Sequence, residues 1–239
     1  MTRSGAAGSL QRPPGRLGSI TQIVRAAGMR YALGAIRRQL WDTRVYLGLR
    51  CDLRELPPVP AAQVPVEMVE RDVDTYAGFH AELDRVRGSD AYETLLRIWS
   101  CQAGIRTLLS AELGGEPVYC QWLVRAYQQA AIQRHSPGSY GPLPPDEVLL
   151  EGAYTFTAFR GKRAMAAGMS QLLHIARGEG GIAATTYVAA DNVPSLKGCA
   201  RVGFELDHQR VTVLRFGRRR SRSIPVDDVA RAAWERATG

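Results

Sequence analysis

Residues 151–204 read EGAYTFTAFRGKRAMAAGMSQLLHIARGEGGIAATTYVAADNVPSLKGCARVGF, and they decide the fold. Val148–Phe159, in which this stretch begins, has the branched and aromatic composition of a strand. From Lys162 to Arg177, Met165, Met169, Leu172, Leu173 and Ala176 recur at helical spacing, and the glycines of 178–181 stop the helix. Ile182–Ala190 is small, branched and uncharged, as a strand covered on both faces should be. Pro194–Val202 then predicts a short helix ended by Gly203, and Phe204–Phe216 a last strand.

Two turns in this stretch carry chemistry. The first is Phe159-Arg160-Gly161-Lys162-Arg163, between a strand and a helix. A helix start presents unpaired N–H groups and about half a positive charge, so cations and a glycine at that point suit a phosphate. The second is Asp191-Asn192-Val193-Pro194-Ser195, where Asn192 and Ser195 serve equally well to cap the following helix or to face a ligand.

Taken in order, the strand with Glu151, the Arg-Gly-Lys loop, the amphipathic helix, the buried strand, Asn-x-x-Ser and Gly203-Phe204 resemble the two cofactor-binding motifs of the GNAT acyltransferases. The resemblance spans 148–216 closely and the order of elements back to Val66 loosely. It implies an α/β fold of the α+β kind, with a mixed, mostly antiparallel central sheet flanked by helices. It also implies transfer of an acyl group, acetyl in the simplest case, from an acyl-CoA co-substrate to an amine or hydroxyl by direct attack on the thioester, without a metal. Arg160, Gly161, Lys162, Arg163, Ala164 and Met165 would wrap the pyrophosphate of coenzyme A. Tyr154, Thr155 and Thr157 would lie along its pantetheine arm, with Asn192 and Ser195 opposite. Glu151, Asn192, Ser195 and Cys199 are the implied catalytic positions. Glu151 is the first candidate for a general base, with His135 or water as alternatives; Cys199 stands where the family often has a proton-donating tyrosine.

The sequence departs from the family loop, Arg/Gln-x-x-Gly-x-Gly/Ala, by carrying Arg163 and Met165 at the two small positions. Those departures keep other readings open: a degenerate GNAT fold that only binds an acyl-CoA or acts as a scaffold, or a transferase whose donor is a carrier protein or an aminoacyl-tRNA docked on Arg210–Arg222. The RGKR form of the loop, with a large residue following, resembles the branch of sugar and cell-envelope acyltransferases, which implies a small-molecule or glycan-precursor acceptor.

Upstream, Pro117–Arg125 reads as a strand after the Gly114-Gly115 turn, Asp72–Arg87 and Ala91–Leu113 as helices, and Val66–Val69 as a short strand. The segment 128–147, with His135 and Tyr140, is long enough to be a binding loop or lid. Four divisions are expected: a disordered basic tail over 1–18; an amphipathic helix, a short strand (Arg44–Leu53) and a Pro-rich linker over 19–65; the acyltransferase domain over 66–217; and a basic tail with a short helix over 218–239.

Residues 1–50 hold nine arginines against Asp42 alone, an excess that equals the whole chain's net charge of +8. The helix expected over 19–41 is therefore basic and amphipathic, suited to an anionic membrane surface, to its own domain or to a second copy in a homodimer. No specific nucleic-acid partner is implied. The four cysteines are scattered and read as free thiols. With no apolar run long enough to span a bilayer, the expected location is cytoplasmic, at the inner face of the membrane if that helix docks there.

Overall fold

The computed structural model describes residues 16–239, so of the expected tail 1–18 the first fifteen residues lie outside the described residues and the last three open a helix. The single helix expected over 19–41 is two: α1 (Arg16–Ala27) and α2 (Met29–Leu40), broken at Gly28, whose φ of 93° no helix accommodates. They lead into β1 (Trp41–Asp52), which is followed by β2 (Val69–Arg71), α3 (Gly78–Arg85) and α4 (Gly88–Gln102). Next come β3 (Leu108–Leu113), β4 (Glu116–Arg125), α5 (Gln129–His135) and β5 (Glu147–Thr155). The chain ends with α6 (Ala164–Gly178), β6 (Ala183–Ala189), α7 (Val193–Ala200), β7 (Glu205–Arg215), β8 (Arg218–Ile224) and α8 (Asp228–Thr238).

One sheet of eight strands runs β2-β3-β4-β5-β6-β1-β7-β8. Among the described residues only β5 and β6 are parallel; every other neighbouring pair is antiparallel. The mixed, mostly antiparallel sheet flanked by helices is the architecture expected from 148–216. β1 sits inside this sheet, between β6 and β7, and Arg50 makes paired bonds of 2.7 Å to Glu147 of β5. The sheet thus draws strands from both sides of residue 66, and likewise from beyond residue 217, where the expected basic tail forms β8.

Two more sequence expectations are corrected. The helix read over 91–113 stops at Gln102, and its last six residues are β3, because β4 offers them a backbone ladder. The helix read over 72–87 is confined to 78–85.

The two sheet faces bury separate cores, following the alternation of side chains along each strand. On one, Leu109, Val118, Val148 and Leu150 pack with Met169, Leu172 and Leu173 of α6 and with Leu196 and Cys199 of α7. On the other, Leu108, Trp122, Val124 and Leu149 pack with Phe79 of α3 and Ile98 of α4. α1 and α2 lie on the outer side of α4, where Ile23, Ala32, Ala35 and Leu95 are buried together.

Candidate functional site

The site begins where the parallel pair parts. β5 and β6 are in register only from Glu147↔Ala183 to Leu150↔Thr186. Beyond that, β5 stays with β4 as far as Thr155, while β6 stays with β1 as far as Ala189, so the strands splay from Glu151 and Tyr187 onward. The cause is a bulge. Trp122 pairs with Glu151 and Cys120 with Tyr154, so two steps on β4 match three on β5. Gly152 takes up the extra residue at φ 66°.

On one side of the splay lies the Arg-Gly-Lys turn. Gly161 and Arg163 both adopt left-handed φ, 79° and 60°, and the chain then enters α6. No side chain caps α6, so its first amides keep their hydrogen-bonding capacity. Lys162 and Arg163 have no ion pair among the described residues, whereas Arg160 is held by Asp90 at 2.8 Å. The Gln63 amide donates to the Lys162 carbonyl at 2.9 Å, so the proline-rich segment braces the turn. Met165 is turned toward α7: a Cβ on Gly198 would lie 3.1 Å from its sulfur. It fills a gap between helices, and the residues present fit a pyrophosphate at uncapped amides beside two unpaired cations.

The three strand positions behave differently from one another. Tyr154 is buried, and its hydroxyl bonds to Thr94 at 3.0 Å and to Glu82 at 3.3 Å, so only its backbone faces the gap. The Thr155 carbonyl accepts from Arg160 at 3.4 Å, and Thr157 gives both its amide and its hydroxyl to Glu82, at 2.9 and 2.8 Å. Glu82 is a buried carboxylate that the sequence reading did not single out, although it falls three residues after Phe79 on the inward face of α3. Across the gap, Asn192 caps α7 by accepting from the Ser195 amide at 3.3 Å. That contact takes one oxygen and leaves the Asn192 side chain exposed and Ser195 half-buried at the rim.

Cys199 does not reach the gap. It is fully buried, touches Met169 sulfur to sulfur at 3.9 Å, and burial pushes its thiol up to about 12. The expectation of a proton donor here is corrected: a thiol sealed inside the core has no route to a leaving group. Cys199→Ala is expected to keep kcat within about twofold, since the thiol touches no reacting group, and to lower stability by about 1 kcal/mol for the void it leaves. Steady-state kinetics beside chemical denaturation check both.

The other side of the splay opens into a cavity of about 410 Å³, walled by Glu151, Tyr46, Tyr140, Tyr187, Arg210 and Trp99. Glu151 and Arg210 are the charges that bear on the buried Tyr140 hydroxyl. Burial pushes that hydroxyl well up, the carboxylate pushes the same way, and the guanidinium pulls down. Arg210 is 7% exposed and lies 3.8 Å from the Tyr187 ring centre and 4.8 Å from those of Tyr46 and Tyr140. It donates to the Ser139 carbonyl at 2.9 Å, while its Nε is buried without a partner. His208 stands behind Tyr187, its Nδ1 2.8 Å from Asp207 and its Nε2 buried and unpartnered. The 128–147 segment supplies Ser139 and Tyr140 to this wall, but His135 ends α5 and its side chain lies outside the described residues.

Among solved structures, a region described as a GCN5-related glucosamine N-acetyltransferase within a fungal multi-domain GH3 β-N-acetylglucosaminidase superposes with a TM-score of 0.52 at 12% identity. That match covers 75% of this chain and 22% of the other, so this chain spans about a fifth of that protein's length. A functionally unknown conserved protein from Staphylococcus epidermidis ATCC 12228 gives 0.51 at 10% identity, covering 77% and 66%. A GNAT-family acetyltransferase from Colwellia psychrerythraea gives 0.49 at 13% identity, covering 79% and 62%. No family model matches the chain, and no curated protein sequence matches it. With the splayed parallel pair and the turn into α6, the first of these likenesses defines the fold: the chain has the fold of the GNAT acyltransferases.

Proposed function

We propose that this chain is an acyl-CoA-dependent acyltransferase, acetyl-CoA being the simplest donor, acting on an amine or hydroxyl of a small, carbohydrate-like acceptor. The observation that carries this reading is the splay at Glu151, which has a phosphate-compatible helix start on one side and a cavity holding a carboxylate on the other. A cavity of about 410 Å³ is in the range of small-molecule sites. The fungal region's description as a glucosamine N-acetyltransferase supports an amino-sugar acceptor.

Bound coenzyme A thioester would supply an activated acyl carbonyl at the gap. Glu151 takes the proton of the acceptor amine or hydroxyl as the new C–N or C–O bond forms; the acyl carbon–sulfur bond breaks, and coenzyme A leaves as a thiolate that takes its proton from solvent. Tyr140, whose hydroxyl feels the Glu151 carboxylate, helps to orient it, and Arg210 lines the same cavity wall and acts on that same hydroxyl. The tyrosines packed around Arg210 hold its guanidinium in the wall of the site.

Acetyl-CoA or a longer acyl-CoA at about 100 times its dissociation constant is expected to stabilise the fold by about 2.7 kcal/mol, an increase in Tm of about 5–10 °C. Absence of a thermal shift with every acyl-CoA tried refutes the reading.

One set of contacts favours a second reading, a fold that binds without catalysing. The Ala153 carbonyl accepts from Arg97 at 3.3 Å and the Thr155 carbonyl from Arg160, so two carbonyls near the end of β5 are already bonded to side chains, as is Thr157 just beyond it. Thiol release from acyl-CoA above background with any amine or sugar of a broad panel decides for the enzyme.

A further inference from the structure

A second face of the molecule, built from elements outside the splay, carries residues that water disfavours. On α2, Met29, Leu33 and Leu40 are 60, 58 and 51% exposed, and offsets of four and seven put them on one side of the helix. Trp41 follows at 64%, and the Phe216 amide donates to the Leu40 carbonyl at 2.9 Å, so Phe216, 76% exposed, stands beside both.

Phe216 occupies a position that argues for selection. With Gly217 it forms the two-residue connection between β7 and β8, at φ 48° and 76°. Positive φ at both positions is the type I′ pattern that asparagine and glycine fill without strain. A phenylalanine there is conformationally strained and, being exposed, recovers little by packing. Arg218, Arg220 and Arg222 follow it on β8, and Arg30 and Arg37 lie on α2; all five are exposed and have no ion pair among the described residues, while the Arg215 guanidinium stacks 3.7 Å from the Trp41 ring centre.

We propose that this end of the molecule docks on an anionic lipid bilayer, with Phe216, Trp41, Leu40 and Leu33 entering the interfacial layer and the arginines meeting the headgroups. Large apolar side chains surrounded by unpaired cations are the composition of such a surface. A second copy of the chain fits it less well. A two-fold contact sets the same patch against itself, guanidinium against guanidinium, and Asp42, the carboxylate nearest in sequence, is already paired with Arg44. No helix among the described residues is long and apolar enough to cross the bilayer, so the attachment is peripheral. The inference does not depend on the acyltransferase reading.

Flotation of the full chain with vesicles tests it. Vesicles of about one-third phosphatidylglycerol are expected to bind at least tenfold more tightly than phosphatidylcholine alone, and high salt should weaken that binding. Phe216→Asn with Leu33→Gln is expected to cut binding by about tenfold or more while leaving Tm unchanged or raised, because asparagine suits the turn and glutamine suits the helix. Failure of the parent to bind anionic vesicles, equal binding by the double variant, or a dimer dissociated by those substitutions in place of vesicle binding overturns the proposal.

Discussion

The Glu151→Gln variant is expected to lose acyl transfer by about 10²- to 10⁴-fold in kcat/KM while folding and binding acyl-CoA as the parent does. The substitution keeps the shape of the side chain and removes its ability to take a proton. Position gives Glu151 its leverage. It is the first residue of β5 beyond the pairing with β6, it lines the 410 Å³ cavity, and its carboxylate bears on the Tyr140 hydroxyl. Tyr140→Phe, which removes a group that only orients the carboxylate, should cost about tenfold or less and should not abolish the reaction. The two variants therefore separate proton transfer from positioning. Burst-free steady-state rates across an acceptor panel, with acyl-CoA binding measured alongside, provide the check. Retention of full rate by Glu151→Gln would refute the assignment of the base and shift proton transfer to water or another group.

What was legible in the sequence was what is encoded locally. Gly161, Asn192 and Gly203 mark turns, and the apolar period from Met165 to Ala176 marks α6, so the order of strand, loop, helix and strand could be read without any partner. β3 could not, because its leucines and alanine favour a helix as much as a strand; the ladder with β4 decides the matter. β8 could not either. RRRSRSI has no apolar alternation, and an edge strand exposed over most of its length needs none; its pairing with β7 and the two-residue turn hold it. The cavity wall was illegible for the same reason. Tyr46, Tyr187 and Arg210 meet because β1 lies between β6 and β7 and pairs Tyr46 with Arg210, a coincidence of register between residues 164 positions apart in a chain of 239 residues. Read along the chain, Arg210 was one of a basic run; in the fold it is a buried cation in the wall of the cavity that the candidate base also lines.

Gly152→Ala is expected to lower stability by about 3 kcal/mol and Tm by about 6–12 °C, and to reduce acyl transfer by about 10²-fold beyond that loss. Two costs combine at this position. A side chain at φ 66° meets the left-handed penalty of about 1–2 kcal/mol, and its Cβ would lie 2.7 and 2.9 Å from ring carbons of Trp122, an overlap of the kind that costs about 1–3 kcal/mol. Trp122 has nowhere to retreat: its Nε1 donates to the Ile105 carbonyl at 2.9 Å, and its ring stacks on Phe79 at 5.9 Å. The chain can respond only by flattening the bulge, which would shift Glu151 and let the end of β5 close on β6. Gly180→Ala is the matched control, since Gly180 also has positive φ, 91°, but a methyl group added there would meet no atom within 4 Å, so it should show the backbone penalty alone. Thermal melts and single-turnover rates of the two variants therefore divide strain from overlap. Equal stabilities would show that Trp122 yields, and a normal rate in Gly152→Ala would show that the bulge does not set the position of Glu151.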